Sequence, residues 1–217
     1  MSPPLRAAVF ASGGGTNLQS LLDHGAEAWR VALVVSDRPD AGALRRAGRA
    51  DVPTVVVPHA SGATEDPAGR MLTALAEHDI DFVLLAGYMK LVPAEVVERY
   101  TDRIVNVHPA LLPSFGGKGM YGIHVHRAVL QAGVRLTGPT VHLVDEVYDR
   151  GRIIAQWPVP VKADDTPEDV AARVLRVEHS LYPRVVDHLA AAWRAGRTPG
   201  PLDESGAAFR LTDSPDV

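Results

Sequence analysis

The stretch AAVFASGGGTN, residues 7–17, decides the fold. Residues 7–11 are small or apolar and read as a short buried strand. From Ser12 the chain then turns through Gly13, Gly14 and Gly15 into a helix beginning near Asn17. Glycines at such a junction let the backbone turn tightly and bring its N–H groups close to a ligand, and the helix N-terminus adds a field that favours an anion. Thr16 and Asn17 add side-chain donors. The pattern is not a Walker loop, because no Gly-Lys-Ser/Thr follows at the required spacing. It also misses the dinucleotide fingerprint, since Leu18 stands where the third glycine belongs. Asp37, after the next strand, imitates the ribose-binding acid of that fingerprint. A nucleotide-binding reading therefore stays open, as does a tight turn that holds no ligand.

Outward from this unit, β-branched runs at 31–35, 54–57, 82–86 and 104–107 alternate with helical patterns at 17–24, 42–49, 67–78 and 93–100. The early runs are almost continuously apolar, which suits parallel strands covered on both faces. Such alternation predicts an α/β fold with a doubly wound, mostly parallel sheet. Further strands at 140–144 and 153–159 fall within segments 136–144 and 152–161, which flank the polar turn DEVYDRG, 145–151. They read as an antiparallel hairpin added to the sheet near the C-terminus. A long C-terminal helix opens at Thr166-Pro167-Glu168-Asp169, with Thr as N-cap, Pro in the first position and acids in the first turn. It is expected to reach about Arg194, with Pro183 kinking or interrupting it. From Gly196 onward Gly, Pro, Ser and Asp dominate, and 196–217 reads as a flexible tail.

Composition narrows the chemistry. With no Cys among 217 residues, disulfides, iron–sulfur clusters and thiol catalysis are excluded. Lys plus Arg number 22 against 26 Asp plus Glu, and a net charge of -4 argues against a nucleic-acid partner, whose phosphates need concentrated basic residues. The apolar start is too short and too soon broken by glycine for a signal peptide or a membrane span. A cytoplasmic location and no membrane partner are the expectations.

Asn106-Val107-His108-Pro109 ends the fifth strand, and alternation puts Asn106 and His108 on one face. An amide and an imidazole so placed suit stabilisation of an oxyanion coupled to proton transfer, although a strand-end His satisfied by backbone is the plain alternative. Asp149, in the turn with Asp145 and Glu146, gains a role only if that turn folds over His108. His124 and His126 are two apart and diverge on a helix, so no metal is expected from them. The Gly116–Gly122 segment, basic at Lys118, reads as a lid, an anion contact or a solvated loop. Glu178-His179 reads as a solvated helix face.

Ser12-Gly13-Gly14-Gly15-Thr16-Asn17, Leu85-Ala86-Gly87-Tyr88-Met89-Lys90, Asn106-Val107-His108-Pro109-Ala110-Leu111-Leu112-Pro113, Thr140-Val141-His142, Asp145-Glu146 with Asp149 and Gly151, and Glu178-His179 occur in that order. Together, across about residues 5–190, they resemble the phosphoribosylglycinamide formyltransferase family of purine synthesis. The resemblance implies a Rossmann-like formyltransferase fold over 1–195, with a phosphate-binding half at about 1–100 and a folate and catalytic half at about 101–195. It implies Asn106, His108 and Asp149 as the catalytic residues. Gly14, Gly15, Thr16, Asn17 and Glu178 match positions that bind glycinamide ribonucleotide. Met89, Lys90, Leu91, Val92, Asn106, Val144, Asp145 and Asp149 match the folate site, and Thr140 and His142 match positions that support it. The implied co-substrate is 10-formyltetrahydrofolate, without a metal, and the implied partners are small molecules, for a monomer or homodimer.

The chain departs from the family pattern in a longer Gly-rich segment between Phe115 and His124, in Val147 where Gly is common, in Arg152 where Pro is common, and in Lys90 where Arg is common. Rivals are formyltetrahydrofolate deformylase, methionyl-tRNA formyltransferase and a non-catalytic nucleotide-binding domain. The first two usually carry an extra N-terminal or basic C-terminal domain, whereas this sequence starts at its first strand and ends in a tail with Asp203, Glu204, Asp213 and Asp216.

Overall fold

Strand β1 (Leu5–Phe10) passes through the Gly13–Gly15 turn into α1 (Thr16–Asp23). The computed structural model describes residues 3–58 and 66–202. Along it follow β2 (Trp29–Ser36), α2 (Gly42–Arg49), β3 (Thr54–Val56), α3 (Pro67–Glu77), β4 (Phe82–Leu85), α4 (Ala94–Arg99) and β5 (Ile104–His108). The second half holds α5 (Ile123–Gln131), β6 (Leu136–Thr137), β7 (Thr140–Leu143), β8 (Ile153–Gln156), β9 (Val159–Pro160) and α6 (Pro167–Arg194). Seven strands form one sheet in the order β3-β2-β1-β4-β5-β7-β8. The first five pair in parallel, while β7 runs antiparallel to both β5 and β8.

The sheet is buried on both sides because its strands are apolar on both sides. Residues 7–11 are all fully buried: Ala7, Val9 and Ala11 pack under α1, α2 and α6, while Ala8 and Phe10 pack under α3 and α4. Strand order reverses beside β1, with β2 on one flank and β4 on the other. Such a switch opens a crevice at the carboxyl ends of the strands, and the loops after β1 and β4 meet there. Ser12 donates from its N–H to the Gly87 carbonyl (3.1 Å), and Met89 N–H donates to the Ser12 hydroxyl (2.9 Å).

Two expectations need correction. The single C-terminal hairpin is divided: β7 and β8 extend the main sheet, but β6 and β9 pair as a separate two-stranded sheet. The break falls at Gly138-Pro139 on one arm and Trp157-Pro158 on the other, where the two prolines cannot donate to a ladder. Gly138 has φ 136°, and a side chain there would meet the Trp157 carbonyl oxygen at 1.9 Å. The second correction is α5, which the pattern of helices did not include. Its sequence, IHVHRAVLQ, mixes β-branched and His residues, and its N-cap Gly122 makes no side-chain capping bond, so neither propensity nor a start signal announces it.

The C-terminal helix runs unbroken through Pro183 over 28 residues. Its start has the Thr N-cap anticipated from sequence, closed into a capping box, with Asp169 N–H donating to the Thr166 hydroxyl (3.2 Å) and Thr166 N–H donating to the Asp169 carboxylate (2.9 Å). Thr166→Ala is expected to cost about 1 kcal/mol, a fall in Tm of roughly 2–4 °C by calorimetry. After the helix, the described part of the expected tail returns to the sheet: Leu202 N–H donates to the Ile154 carbonyl (2.8 Å) and its side chain packs on the core. The rest, 203–217, lies outside the described residues. Among the described residues no helix is long and apolar enough to cross a membrane.

Candidate active site

A cavity of about 710 Å³ opens at the switch point. Its wall includes Tyr88–Val92 after β4, Asn106 and His108 on β5, Gly117–Gly122 before α5 with Ile123 at its start, Asp145 and Val147–Asp149 in the β7–β8 turn, and Asn17 of α1. Helix α6 contributes Ala171, Leu175 and Glu178, a stripe at i, i+4 and i+7. One turn further, the buried Tyr182 hydroxyl reaches the carbonyls of Leu85 (3.2 Å) and Val105 (3.0 Å), which seats this stripe over the ends of β4 and β5.

Asn106 and His108 leave β5 on the same side, as the strand period requires, and the turn carrying Asp149 does fold over them. Asp149 stands with one carboxylate oxygen 3.6 Å from His108 Nδ1 and the other 3.6 Å from His142 Nε2. The Gly117 N–H donates to the Asp149 carboxylate (2.8 Å), so the Gly-rich segment holds this side chain from the opposite wall. Asp149 has a left-handed backbone (φ 55°), which Asp tolerates better than most residues. His108 is buried and its Nε2 lies 2.9 Å from the Phe115 carbonyl, where Phe115 also has positive φ (57°).

His142 orients Asn106. Its Nδ1–H has the Leu143 carbonyl as acceptor (2.8 Å), and its Nε2 lies 3.1 Å from the Asn106 amide nitrogen. Thr140 does not line the cavity. Its hydroxyl donates to the Ala110 carbonyl (2.7 Å) and accepts from Leu112 N–H (3.0 Å), fixing the chain just after His108.

Electrostatics follow burial first. Burial pushes the His108 imidazolium below its ordinary value, against the opposing pull of the Asp149 charge and the Phe115 carbonyl. Burial also pushes the Asp149 carboxyl up, but contacts from His142, His108 and the Gly117 N–H outweigh it and leave the carboxyl below its ordinary value. The ordinary ordering of a charged carboxylate beside an imidazole is thus kept in a largely dry site.

Glu178, expected from its local sequence to be solvated, is instead buried, and Asn17 Nδ2 donates to its Oε2 (2.6 Å). Burial raises its carboxyl from 4.5 to about 7, with the Asn17 bond opposing. A carboxyl raised on folding binds more protons in the native than in the unfolded chain between these values. Stability is therefore expected to fall as pH rises from 4.5 to about 7, by ~3 kcal/mol from this group. Glu178→Gln should flatten that slope in denaturant titrations; a slope equal to wild type would assign the pH dependence elsewhere.

Met89, Lys90, Leu91, Val92, Val144 and Asp145 all line the cavity. So do five of the six large apolar side chains left exposed among the described residues: Met89, Leu91, Tyr121, Val147 and Tyr148. Gly14, Gly15 and Thr16 are not in the wall; they form the turn leading to Asn17, which is. Asp37 is not in the wall either, so the nucleotide-binding rival loses its ribose acid. His126, read from sequence as a phosphate-proximal or surface residue, is instead buried in the wall near enough to His108 to be disfavoured as a cation, and burial first, then His108, lower it to about 4. His124 is exposed, edge-on to Tyr121. Among the described residues no group of three or more His, Cys, Asp or Glu could hold a metal ion.

A doubly wound sheet with an Asn–His–Asp group at its carboxyl edge defines a class. Residues 5–186 match the family described as Formyl transferase, and the chain belongs to it. It is 47% identical over 186 residues to the chloroplastic phosphoribosylglycinamide formyltransferase of Arabidopsis thaliana, covering 83% of this chain. The chain spans 64% of that relative's length. Among solved structures, glycinamide ribonucleotide transformylase 1 from Geobacillus kaustophilus matches with a TM-score of 0.79 and 41% identity, covering 86% of this chain and 99% of that one. A formyltetrahydrofolate deformylase from Pseudomonas syringae pv. tomato matches with a TM-score of 0.79 but 27% identity, covering 88% of this chain and 62% of that one.

Proposed function

We propose that the protein transfers the formyl group of 10-formyltetrahydrofolate to the primary amine of glycinamide ribonucleotide. The products are formylglycinamide ribonucleotide and tetrahydrofolate, a step toward IMP in purine synthesis. The observation that carries this reading is that one cavity joins a buried acid and amide beside a glycine turn to an apolar, aromatic-edged wall, with Asn106, His108 and Asp149 in the same space. Its volume of about 710 Å³ is of the size small-molecule sites have.

In this scheme the phosphate lies against the turn formed by Gly14, Gly15 and Thr16, and Asn17 and Glu178 take the ribose hydroxyls. The pterin and benzoyl groups lie along Met89–Val92 and Val144–Asp149. The uncharged amine attacks the formyl carbon, forming the new C–N bond and a tetrahedral oxyanion. N–H groups of Asn106 and His108 stabilise that charge, where low polarity makes each bond count for more than in water. Asp149 takes the proton the amine loses, directly or through a water, and returns one to the folate nitrogen as its bond to the formyl carbon breaks.

Hydrolysis of the same donor, the activity named for the Pseudomonas relative, uses water in place of the amine. The buried Asn17–Glu178 pair favours the ribosyl acceptor, since water needs no such contact. A folate absorbance assay with synthetic glycinamide ribonucleotide, run against buffer alone, decides between them. Transfer that requires the ribonucleotide is the expected result, whereas equal folate release in buffer overturns the proposal in favour of hydrolysis.

A further inference from the structure

The glycine turn has two faces, and α2 occupies one of them. On that face Ala43 N–H donates to the Gly13 carbonyl (3.1 Å), and Arg46 Nε–H donates to the Gly14 carbonyl (2.8 Å). Arg46 also reaches Gln19 Oε1 on α1 (3.0 Å), so one guanidinium ties the turn, the helix that follows it and α2 together. Both of its acceptors are neutral, and among the described residues no carboxylate pairs with it.

A trans peptide points its C=O and the next N–H in opposite directions, and the peptides after Gly13 and Gly14 are both trans. Holding the two carbonyls toward α2 therefore turns the N–H groups of Gly14 and Gly15 to the opposite face. Neither N–H donates to another group among the described residues. Gly13 and Gly14 are exposed, and a side chain at either would meet nothing within 4 Å. Beside them Asn17, 9% exposed and in the cavity wall, leaves its Oδ1 without a partner.

We propose that Arg46 is a positioning residue for substrate phosphate: by holding the Gly14 carbonyl it aims the Gly15 N–H at the anion, without touching the reacting atoms. This rests on the acceptor being glycinamide ribonucleotide. Arg46 then governs affinity for the phosphorylated acceptor and leaves both the folate and the chemistry alone. A lysine keeps the charge but cannot make both bonds in one plane.

Steady-state kinetics of Arg46→Met and Arg46→Lys test it. Arg46→Met is expected to raise KM for glycinamide ribonucleotide about tenfold, the worth of one charge-assisted hydrogen bond. Its kcat and its KM for 10-formyltetrahydrofolate should stay within about twofold of wild type. Inorganic phosphate should compete with the ribonucleotide more weakly by a similar factor, while kcat/KM for the dephosphorylated glycinamide riboside stays unchanged. Arg46→Lys should recover only part of the affinity. An unchanged ribonucleotide KM in Arg46→Met, full recovery in Arg46→Lys, or an equal loss with the riboside would each overturn the positioning role. Failure of the wild-type enzyme to formylate the ribonucleotide at all is a separate outcome, and it removes the acceptor assignment first.

Discussion

Asp149→Asn is expected to lower kcat by about a thousandfold, within the range general acid–base groups contribute, and to leave both KM values within a few-fold. Asn has the same shape, tolerates the left-handed backbone at this position (φ 55°) and keeps an oxygen for the Gly117 N–H. What it lacks is the charge. Without that carboxylate, burial acts on His108 unopposed by its strongest counterweight, and the imidazolium is disfavoured further. The proton path from amine to folate nitrogen is lost at the same time. Rapid-quench measurement of a single turnover isolates the chemical step from binding and release. A variant that transfers formyl at the wild-type rate in one turnover removes Asp149 from the mechanism.

Gly15→Ala and Gly14→Ala should separate a glycine the fold needs from one the ligand needs. Gly15 is buried with φ 75°, and a side chain there would lie 2.7 Å from Ala43 Cα. Left-handed backbone costs Ala ~1–2 kcal/mol, and forcing α2 aside costs ~1–3 more. A loss of roughly 2–5 kcal/mol, or a fall in Tm of about 10 °C, is expected for Gly15→Ala in calorimetry. Gly14 has open space where its side chain would be, so Gly14→Ala should stay within about 0.5 kcal/mol of wild type. Its methyl group stands on the exposed turn beside the proposed phosphate position, and KM for glycinamide ribonucleotide should rise several-fold. If Gly14→Ala binds the ribonucleotide normally, the anion does not sit on this turn.

Much of the scaffold was legible because local rules acted alone. Five apolar residues, then Ser12 and three glycines, read as strand, turn and helix, and β1 and α1 follow that pattern. Thr166-Pro167-Glu168-Asp169 announced α6 because an N-cap Thr, a first-position Pro and first-turn acids are complete within four residues. Helix α5 escaped because it has no such start, and its buried Val125, His126 and Val129 acquire meaning only once α6 packs against it. The break in the hairpin was missed because 152–161 is apolar enough for one strand, whereas Pro139 and Pro158 interrupt the ladder and leave β6 and β9 paired in a sheet of their own.

The site divides the same way. Asn106 and His108 share a face because strand side chains alternate, a property of two residues and one bond geometry. The Asn17–Glu178 bond spans 161 positions, Asn106–His142 spans 36, and Arg46 meets Gly14 across 32. No local propensity encodes such pairs; they exist because helices and turns pack over the end of one sheet. Local sequence therefore determined the strands, the glycine turn, the capped helix and the types of chemical group available. The tertiary structure alone decided that Asp149 lies over His108, that Glu178 is buried and not solvated, and that Arg46 backs the glycine turn. The reason is physical: backbone preference and hydrophobic period act over a few residues, whereas desolvation and charge depend on what the whole chain brings together.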